Sequence, residues 1–512
     1  MSPSIAGRAP FRGVLAGCAL ALLGAWAPVA PAGAADRPAS HIVQLRAGTS
    51  AVEGRAAVAA AGGRVTASVP IIRGLAVRLP HRAAAVLRRD GRIAAVTANV
   101  RVTPRMDGLE ASGLATAYPD AVQAPQVWSA WTGRGVGVAV VDTGIAGRVA
   151  DFADARGRSR VIASAVTNPA ATSADDRFGH GTHVAGIVAG DGRRRDPRDP
   201  VAGRYVGIAP DANLISVKVS DDAGNASVLD VINGLQFVVD HKDALNIRVV
   251  NLSLQSAVPA SYRTDPLDAA VEAAWFSGIV VVAAGGNRGD APDAVGYAPG
   301  NDPFAISVGA MDDRGTKARG DDLHAAWSST GRTQDGFAKP DILAPGSAIV
   351  SVLAPGSAYA TACPDCVVGK DYIRAGGSSM AAPVVAGVVA LMLEANPRLT
   401  PDQVKGTLLA RARDISGPLD VVSAKAADAA RSPSPPANAG IAPNDLVTAA
   451  TGTIDYTRAS WSRASWSAAP AELAAGWARA SWSCACAATG GGETEPSRAS
   501  WSRASWSTRW GL

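Results

Sequence analysis

Cysteine is scarce: five in 512 residues, one of them (Cys18) in the N-terminal segment, which excludes a disulfide-dense scaffold. Strong net charge is also missing. Against 49 Lys plus Arg stand 44 Asp plus Glu, and the resulting +5 is spread too thinly to read as a nucleic-acid footprint, despite an isoelectric point near 9. No apolar stretch reaches the roughly 18 residues that predict a membrane-crossing helix. Wholesale disorder is excluded too, because hydrophobic residues make up 47% of the chain and charged residues 18%. These absences leave a large globular chain with attachments, long enough for about three domains at roughly 150 residues each.

Residues 1–34 read as an export signal. Arg8 and Arg12 form a positive n-region, Val14 to Trp26 is a short apolar run, and Ala32-Gly33-Ala34 is a small-residue cleavage site. Leu15-Ala16-Gly17-Cys18 has the look of a lipobox, but a lipobox closes the apolar run and here most of the run follows Cys18. The expected location is therefore extracellular.

Residues 35–106 carry two strand–helix–strand patterns: His41–Leu45, Ala51–Ala61 and Arg64–Thr66, then Gly74–Leu79, a helix around Arg82–Arg89, and Ile93–Val96. That order and size predict a ferredoxin-like split βαβ. Across 107–430, near-continuous apolar runs (Val136–Val141, Leu214–Val219, Ile247–Leu252, Ile279–Ala284) alternate with helical segments, notably Val228–His241 and Pro266–Phe276. Strands apolar on both faces, joined through helices, predict a mostly parallel sheet in a three-layer α/β domain, with function beyond the carboxyl ends of the strands. Residues 431–457 begin with Arg431-Ser432-Pro433-Ser434-Pro435-Pro436 and read as a Pro-rich linker. Residues 458–512 repeat Arg-Ala-Ser-Trp-Ser from Arg458, Arg463, Arg479, Arg498 and Arg503.

Three motifs carry chemistry. Asp142 ends the first buried strand in Val140-Val141-Asp142-Thr143-Gly144, where an Asp is ordinarily a turn residue. An aspartic-peptidase reading would need a second such carboxylate, and no second Asp-Thr-Gly or Asp-Ser-Gly occurs. Phe178-Gly179-His180-Gly181-Thr182-His183 presents His180 between glycines, whereas His183 lies one turn into a helix and reads as a hydrogen-bonded core histidine. A metal site on the two histidines lacks an adjacent Glu and a third ligand. Gly377-Ser378-Ser379-Met380 opens the most apolar helix of the domain, where a Ser is ordinarily a cap but where backbone N–H groups also suit a developing oxyanion.

Taken together, Val-Val-Asp-Thr-Gly-Ile (140–145), His-Gly-Thr-His-Val-Ala-Gly (180–186) and Gly-Ser-Ser-Met-Ala-Ala-Pro (377–383) resemble the subtilisin-family serine peptidases, in the family's order Asp…His…Ser. Val206–Pro210, Asn251–Leu254 and Lys339–Gly346 are supporting family-like blocks; 41–104 resembles the inhibitory propeptide more loosely. The resemblance implies Ser379 as nucleophile, His180 as general base and later acid, and Asp142 as orienter of the imidazole. It implies Asn287 as the oxyanion donor and Ser253, Leu254 and Gln255 as the substrate-binding edge. Two departures stand out. Ser378 replaces the usual Thr, and Gln255 stands where the family commonly has Gly, which should narrow the cleft. The resemblance implies no cofactor for the chemistry; family members often bind Ca²⁺, but no acidic cluster identifies ligands. The expected partners are protein or peptide substrates, with the chain's own propeptide as intramolecular inhibitor and no nucleic acid.

Cys363-Pro364-Asp365-Cys366 is expected to close a local disulfide, since a redox reading lacks its thioredoxin-like context. In the tail, the Trp of each of the five repeats follows an Arg by three residues, which suits weak repeated contact with anionic cell-envelope polymers. Packing of the tail onto the domain as a strap, and a signal cut away after export, stay open. From a different functional class, the chain could be a cell-surface binding or structural protein acting through that tail.

Overall fold

The computed structural model describes residues 38–104, 116–415, 419–447 and 482–483, with the main chain alone for His81, 101–104 and 482–483. The segment expected to be an export signal and nearly all of the repeat tail lie outside the described residues, as do Cys484 and Cys486.

The N-terminal unit runs β1 (Ala39–Leu45), α1 (Ala51–Ala60), β2 (Arg64–Val69), β3 (Gly74–Leu79), α2 (His81–Leu87) and β4 (Ile93–Ala98). Its strands form an antiparallel sheet in the order β2-β3-β1-β4, the arrangement of the split βαβ. Helix α1 starts where it does because Ser50 and Glu53 close a capping box. A short strand, β5 (Arg101–Pro104), then leaves this unit for the domain that follows.

That domain opens with a single turn, α3 (Tyr118–Ala121), followed by β6 (Gly137–Asp142), β7 (Val161–Val166), α4 (His180–Ala189), β8 (Asn213–Lys218), β9 (Ala226–Ser227) and α5 (Val228–His241). Next come β10 (Ile247–Leu252), β11 (Leu254–Ser256), α6 (Pro266–Phe276), β12 (Val280–Ala284), β13 (Ile306–Asp312) and β14 (Leu323–His324). Strands β6, β7, β8, β10, β12 and β13 pair in parallel. Around β6 the chain goes first to one side (β7, β8) and then to the other (β10, β12, β13). The carboxyl end of β6 is thus a topological switch point, where an open α/β sheet leaves a crevice. Helix α5 begins with a Ser227–Asp230 capping box, and α6 with Asp265 as cap and Pro266 in its first turn.

The remaining elements are a short hairpin of β15 (Gly331–Arg332) and β16 (Ala338–Lys339), β17 (Ile342–Pro345) in parallel beside β13, and β18 (Ile349–Val352). Then follow α7 (Ala358–Ala362), β19 (Val367–Val368), β20 (Tyr372–Ala375), α8 (Ser378–Ala395), α9 (Pro401–Ala410) and α10 (Ala426–Ala429). The Cys363–Cys366 disulfide is formed, directly after α7. Helix α8 touches α4, β10, β12, β13 and β17, and every side chain from Ser378 to Leu393 is buried. By length and composition this helix passes the test for crossing a membrane, contrary to the expectation of no such stretch. Its apolarity has another cause, since 89% of it is buried inside the protein.

The linker expected over 431–457 needs correcting for its described part. Asn444 N–H donates to both carboxylate oxygens of Glu272 (2.8 and 2.7 Å), and Ser434 N–H donates to Thr407 Oγ1 (2.9 Å). Leu446 and Val447 are buried, so the segment is a strap held by α6 and α9 rather than a free spacer. Prolines removed donors there without removing the apolar side chains that needed cover. One pair of tail residues, Trp482–Ser483 (β21), lies antiparallel along the outer edge of β7.

Candidate active site

Asp142 is the last residue of β6, at the switch point. Its Oδ1 accepts hydrogen bonds from Thr143 N–H and from His180 Nδ1, each at 2.7 Å. Both side chains are buried, so water does not compete for this pair. His180 begins α4, and the two loops can meet only because Gly181 has no side chain. A Cβ there would lie 2.2 Å from the Gly144 carbonyl oxygen and 3.2 Å from Asp142 Cβ. With Nδ1 committed to Asp142, His180 Nε2 is the nitrogen that can take a proton; it has no hydrogen-bond partner among the described residues.

Ser379 stands at the start of α8. Its hydroxyl donates to the Ser253 carbonyl (3.2 Å), while Ser253 Oγ donates to the Ser379 carbonyl (2.7 Å). The neighbouring Ser378 is used differently. Its Oγ accepts from Gly286 N–H (3.1 Å) and its N–H donates to Asn287 Oδ1 (2.8 Å). The two adjacent serines are therefore distinct: Ser378 ties the 285–287 turn to α8, and Ser379 faces the edge segment. The Asn287 contact also fixes which end of its amide is oxygen, so the amide nitrogen is the end turned away from Ser378 N–H. Asn287, Ser378, Ser379 and Ser253 thus come together at one end of the sheet, as do Asp142 and His180. His180 Nε2 accepts no hydrogen bond from the Ser379 hydroxyl, a contact that commonly tightens only with substrate.

Ser253, Leu254 and Gln255 form the edge. Strand β5 pairs with β11 antiparallel, Leu254 opposite Pro104, Gln255 opposite Thr103 and Ser256 opposite Val102, and on its other side with β9. The cleft edge is therefore already holding an extended chain.

His183 is the core residue its position suggested. Nε2 faces the carbonyls of Ile349 (3.2 Å) and Ile373 (3.1 Å), and burial, reinforced by His180, pushes its pKa down to about 3. Two residues escaped the sequence reading. Asp176, four positions before His180, accepts from Thr143 Oγ1 (2.8 Å), Gly179 N–H (2.7 Å), Thr182 N–H (2.8 Å) and Thr182 Oγ1 (2.7 Å). It pins the turn after Asp142 to the start of α4, and no motif marks it. Tyr359, fully buried on α7, lies edge-on to His180 with ring centroids 6.1 Å apart. Its phenol is held well above the usual pKa by burial and by the nearby Asp142 and Asp176 charges. Among the described residues no group of three or more His, Cys, Asp or Glu side chains is arranged to hold a metal ion, and no calcium ligands are assigned.

The Subtilase family profile matches residues 133–440. Serine protease AprX of Bacillus subtilis (strain 168) is 41% identical over 289 residues, which are 54% of this chain and 61% of AprX. Subtilisin E of the same strain is 30% identical over 375 residues, 71% of this chain and 82% of that protein. Fervidolysin from Fervidobacterium pennivorans, a keratinolytic enzyme related to subtilisin, shares the fold with a TM-score of 0.59 at 24% identity, over 78% of this chain and 62% of its own. The chain thus spans under two thirds of AprX but most of subtilisin E. With more than half its length matched by the family profile, and with that coverage of subtilisin E, the chain belongs to the subtilase family.

Proposed function

We propose that this subtilase is a secreted serine endopeptidase made as a self-processed zymogen, with 35–106 as inhibitory propeptide and 107–430 as peptidase domain. The observation that carries this reading is the pairing of β5 along Leu254–Ser256, directly after Ser253, whose carbonyl takes the Ser379 hydroxyl. An extended segment of the chain itself lies where a substrate would, antiparallel to the edge. Export of the protein is supported by the composition of residues 1–34.

In the reaction, Ser379 Oγ attacks the scissile carbonyl carbon as its proton passes to His180 Nε2. Asp142 keeps Nδ1–H in place and stabilises the imidazolium. The developing oxyanion takes a hydrogen bond from the Asn287 side-chain amide and from backbone N–H at the start of α8. His180 then gives its proton to the leaving amine, the C–N bond breaks, and an ester to Ser379 remains. Water attacks that ester by the same route, releasing the carboxylate and restoring the serine.

A fluorophosphonate probe, combined with N-terminal sequencing, tests the reading. Labelling should disappear in Ser379→Ala, and in a protease-free host that variant should keep residues 35–106 attached. Labelling that survives Ser379→Ala would reject the assignment, and normal processing of the variant would reject self-cleavage.

A further inference from the structure

The Gln255 side chain is the feature of the cleft that the proposed chemistry does not use. It is 6% exposed, and its Nε2 is buried with no hydrogen-bond partner among the described residues. The amide lies against Gly286: a Cβ built on that glycine would sit 2.9 Å from Gln255 Nε2 and 2.7 Å from Ser329 Oγ. Ser329 Oγ is itself occupied, accepting from Arg288 N–H at 2.9 Å. The gap between the 253–255 edge and the 285–287 turn, next to Asn287, is thus filled by one neutral amide.

The register says whose side chain must share that gap. Along an antiparallel pair, directly opposed residues project to the same face, and so do diagonal neighbours two positions on, about 7–8 Å away. Ser253, whose carbonyl takes the Ser379 hydroxyl, is two residues before Gln255. A substrate residue opposite Ser253 is the one that brings its carbonyl to Ser379. Its side chain shares a face with Gln255, within reach of the amide.

We propose that Gln255 determines specificity for the substrate residue that supplies the scissile carbonyl, selecting side chains that end in an amide or guanidinium over aromatic rings. The inference rests on the peptidase reading above. An aromatic ring must displace the amide or bury its N–H with nothing to accept it. A polar side chain pairs with it, because a turn about the last torsion of Gln255 presents either donor or acceptor.

The test uses the processed enzyme from the full chain and succinyl-Ala-Ala-Pro-X-p-nitroanilides with X = Gln, Arg or Phe. Wild type should cleave X = Gln and X = Arg with kcat/KM about tenfold above X = Phe, the size of one neutral hydrogen bond. Gln255→Gly, which empties the gap, should raise X = Phe by about tenfold or more and reverse the order. Gln255→Met keeps the length without the amide and should abolish the polar preference. An unchanged ranking in both variants, or a wild type that prefers Phe, overturns the proposal while leaving the peptidase standing. Failure of wild type both to cleave any substrate and to label at Ser379 instead overturns the peptidase reading, and this inference with it.

Discussion

Val43, Leu75 and Val77 of the N-terminal sheet pack with Val58, Ala84 and Leu87 of the unit's own helices into a small separate core. Ile42 and Ala76, from the opposite face of the same strands, join Val69, Ile71 and Ile72 in the large core of the α/β domain. The α/β sheet has no such divided loyalty, because β6, β10 and β12 are buried on both faces by helices of their own domain. One unit is therefore complete, and the other is half a sandwich whose second layer is α5 and α6. Its grip is polar as well: Ile71 N–H donates to Gln236 Oε1 (2.8 Å), and Arg73 reaches the Leu446 carbonyl of the strap (3.0 Å). The difference teaches that the N-terminal unit depends on the domain to cover one face of its sheet, whereas the domain covers its own sheet on both faces.

The sharpest way to break this comparison is to silence the site that would separate the two units. Ser379→Ala or His180→Ala should lower kcat by about 10⁶, the magnitude that triad removal has in subtilisin itself, with Asp142→Ala losing about 10⁴. Both losses should be read with a chromogenic peptide, alongside the mass of the secreted chain. Asn287→Ala should cost about 10²–10³ in kcat with little change in KM, again a subtilisin-derived size. A change confined to KM would remove Asn287 from the oxyanion role.

Next comes the seam. Ile72→Asp puts a charge into the shared core, and the N-terminal unit should release on the order of 100-fold more readily. Activity would then appear with a shorter lag, while the melting temperature of the processed domain stays where it was. An unchanged lag would mean the seam contributes nothing to the grip.

Per pH unit, the smallest effect is on acid stability and belongs to the α/β domain alone. Folded His183 titrates near 3, against an ordinary value of about 6.5. Below pH 6.5 the unfolded chain takes up a proton that the folded chain refuses until about pH 3, so stability falls through that window as pH drops, by at most about tenfold in the folding constant per pH unit. His183→Gln should flatten that slope in a urea titration run at several pH values. A slope unchanged by the substitution would assign the acid sensitivity to other groups.

Much of this architecture was legible beforehand, for identifiable reasons. Helices α5 and α6 match the segments read from sequence because both carry unmistakable caps, Ser227 with Asp230 and Asp265 with Pro266. The buried strands were legible because parallel strands covered on both faces are apolar without interruption. Asp176 was not, since its near donors are backbone N–H groups of Gly179 and Thr182 and the Thr182 hydroxyl, which no motif marks, and its fourth donor, Thr143 Oγ1, is 33 positions away. The strap at 431–447 was misread because proline content speaks about backbone donors, not about whether Leu446 finds a place to be buried. Gln255 was noted as an unusual residue, but its contact with Gly286 depends on two segments thirty positions apart.

The burial of α8 has a consequence in time. Its start carries Ser379, and its body is the packing partner of β10, β12, β13 and β17. Ser379 lies 275 residues beyond the end of β5, which a ribosome adding about 5–20 residues per second delivers over roughly 14–55 s. Throughout that interval the N-terminal unit and β5 are already made and Ser379 is not. When α8 does arrive, it cannot settle until the strands it lies on are assembled, so a large piece of the core and the turn that carries Ser379 take their places together.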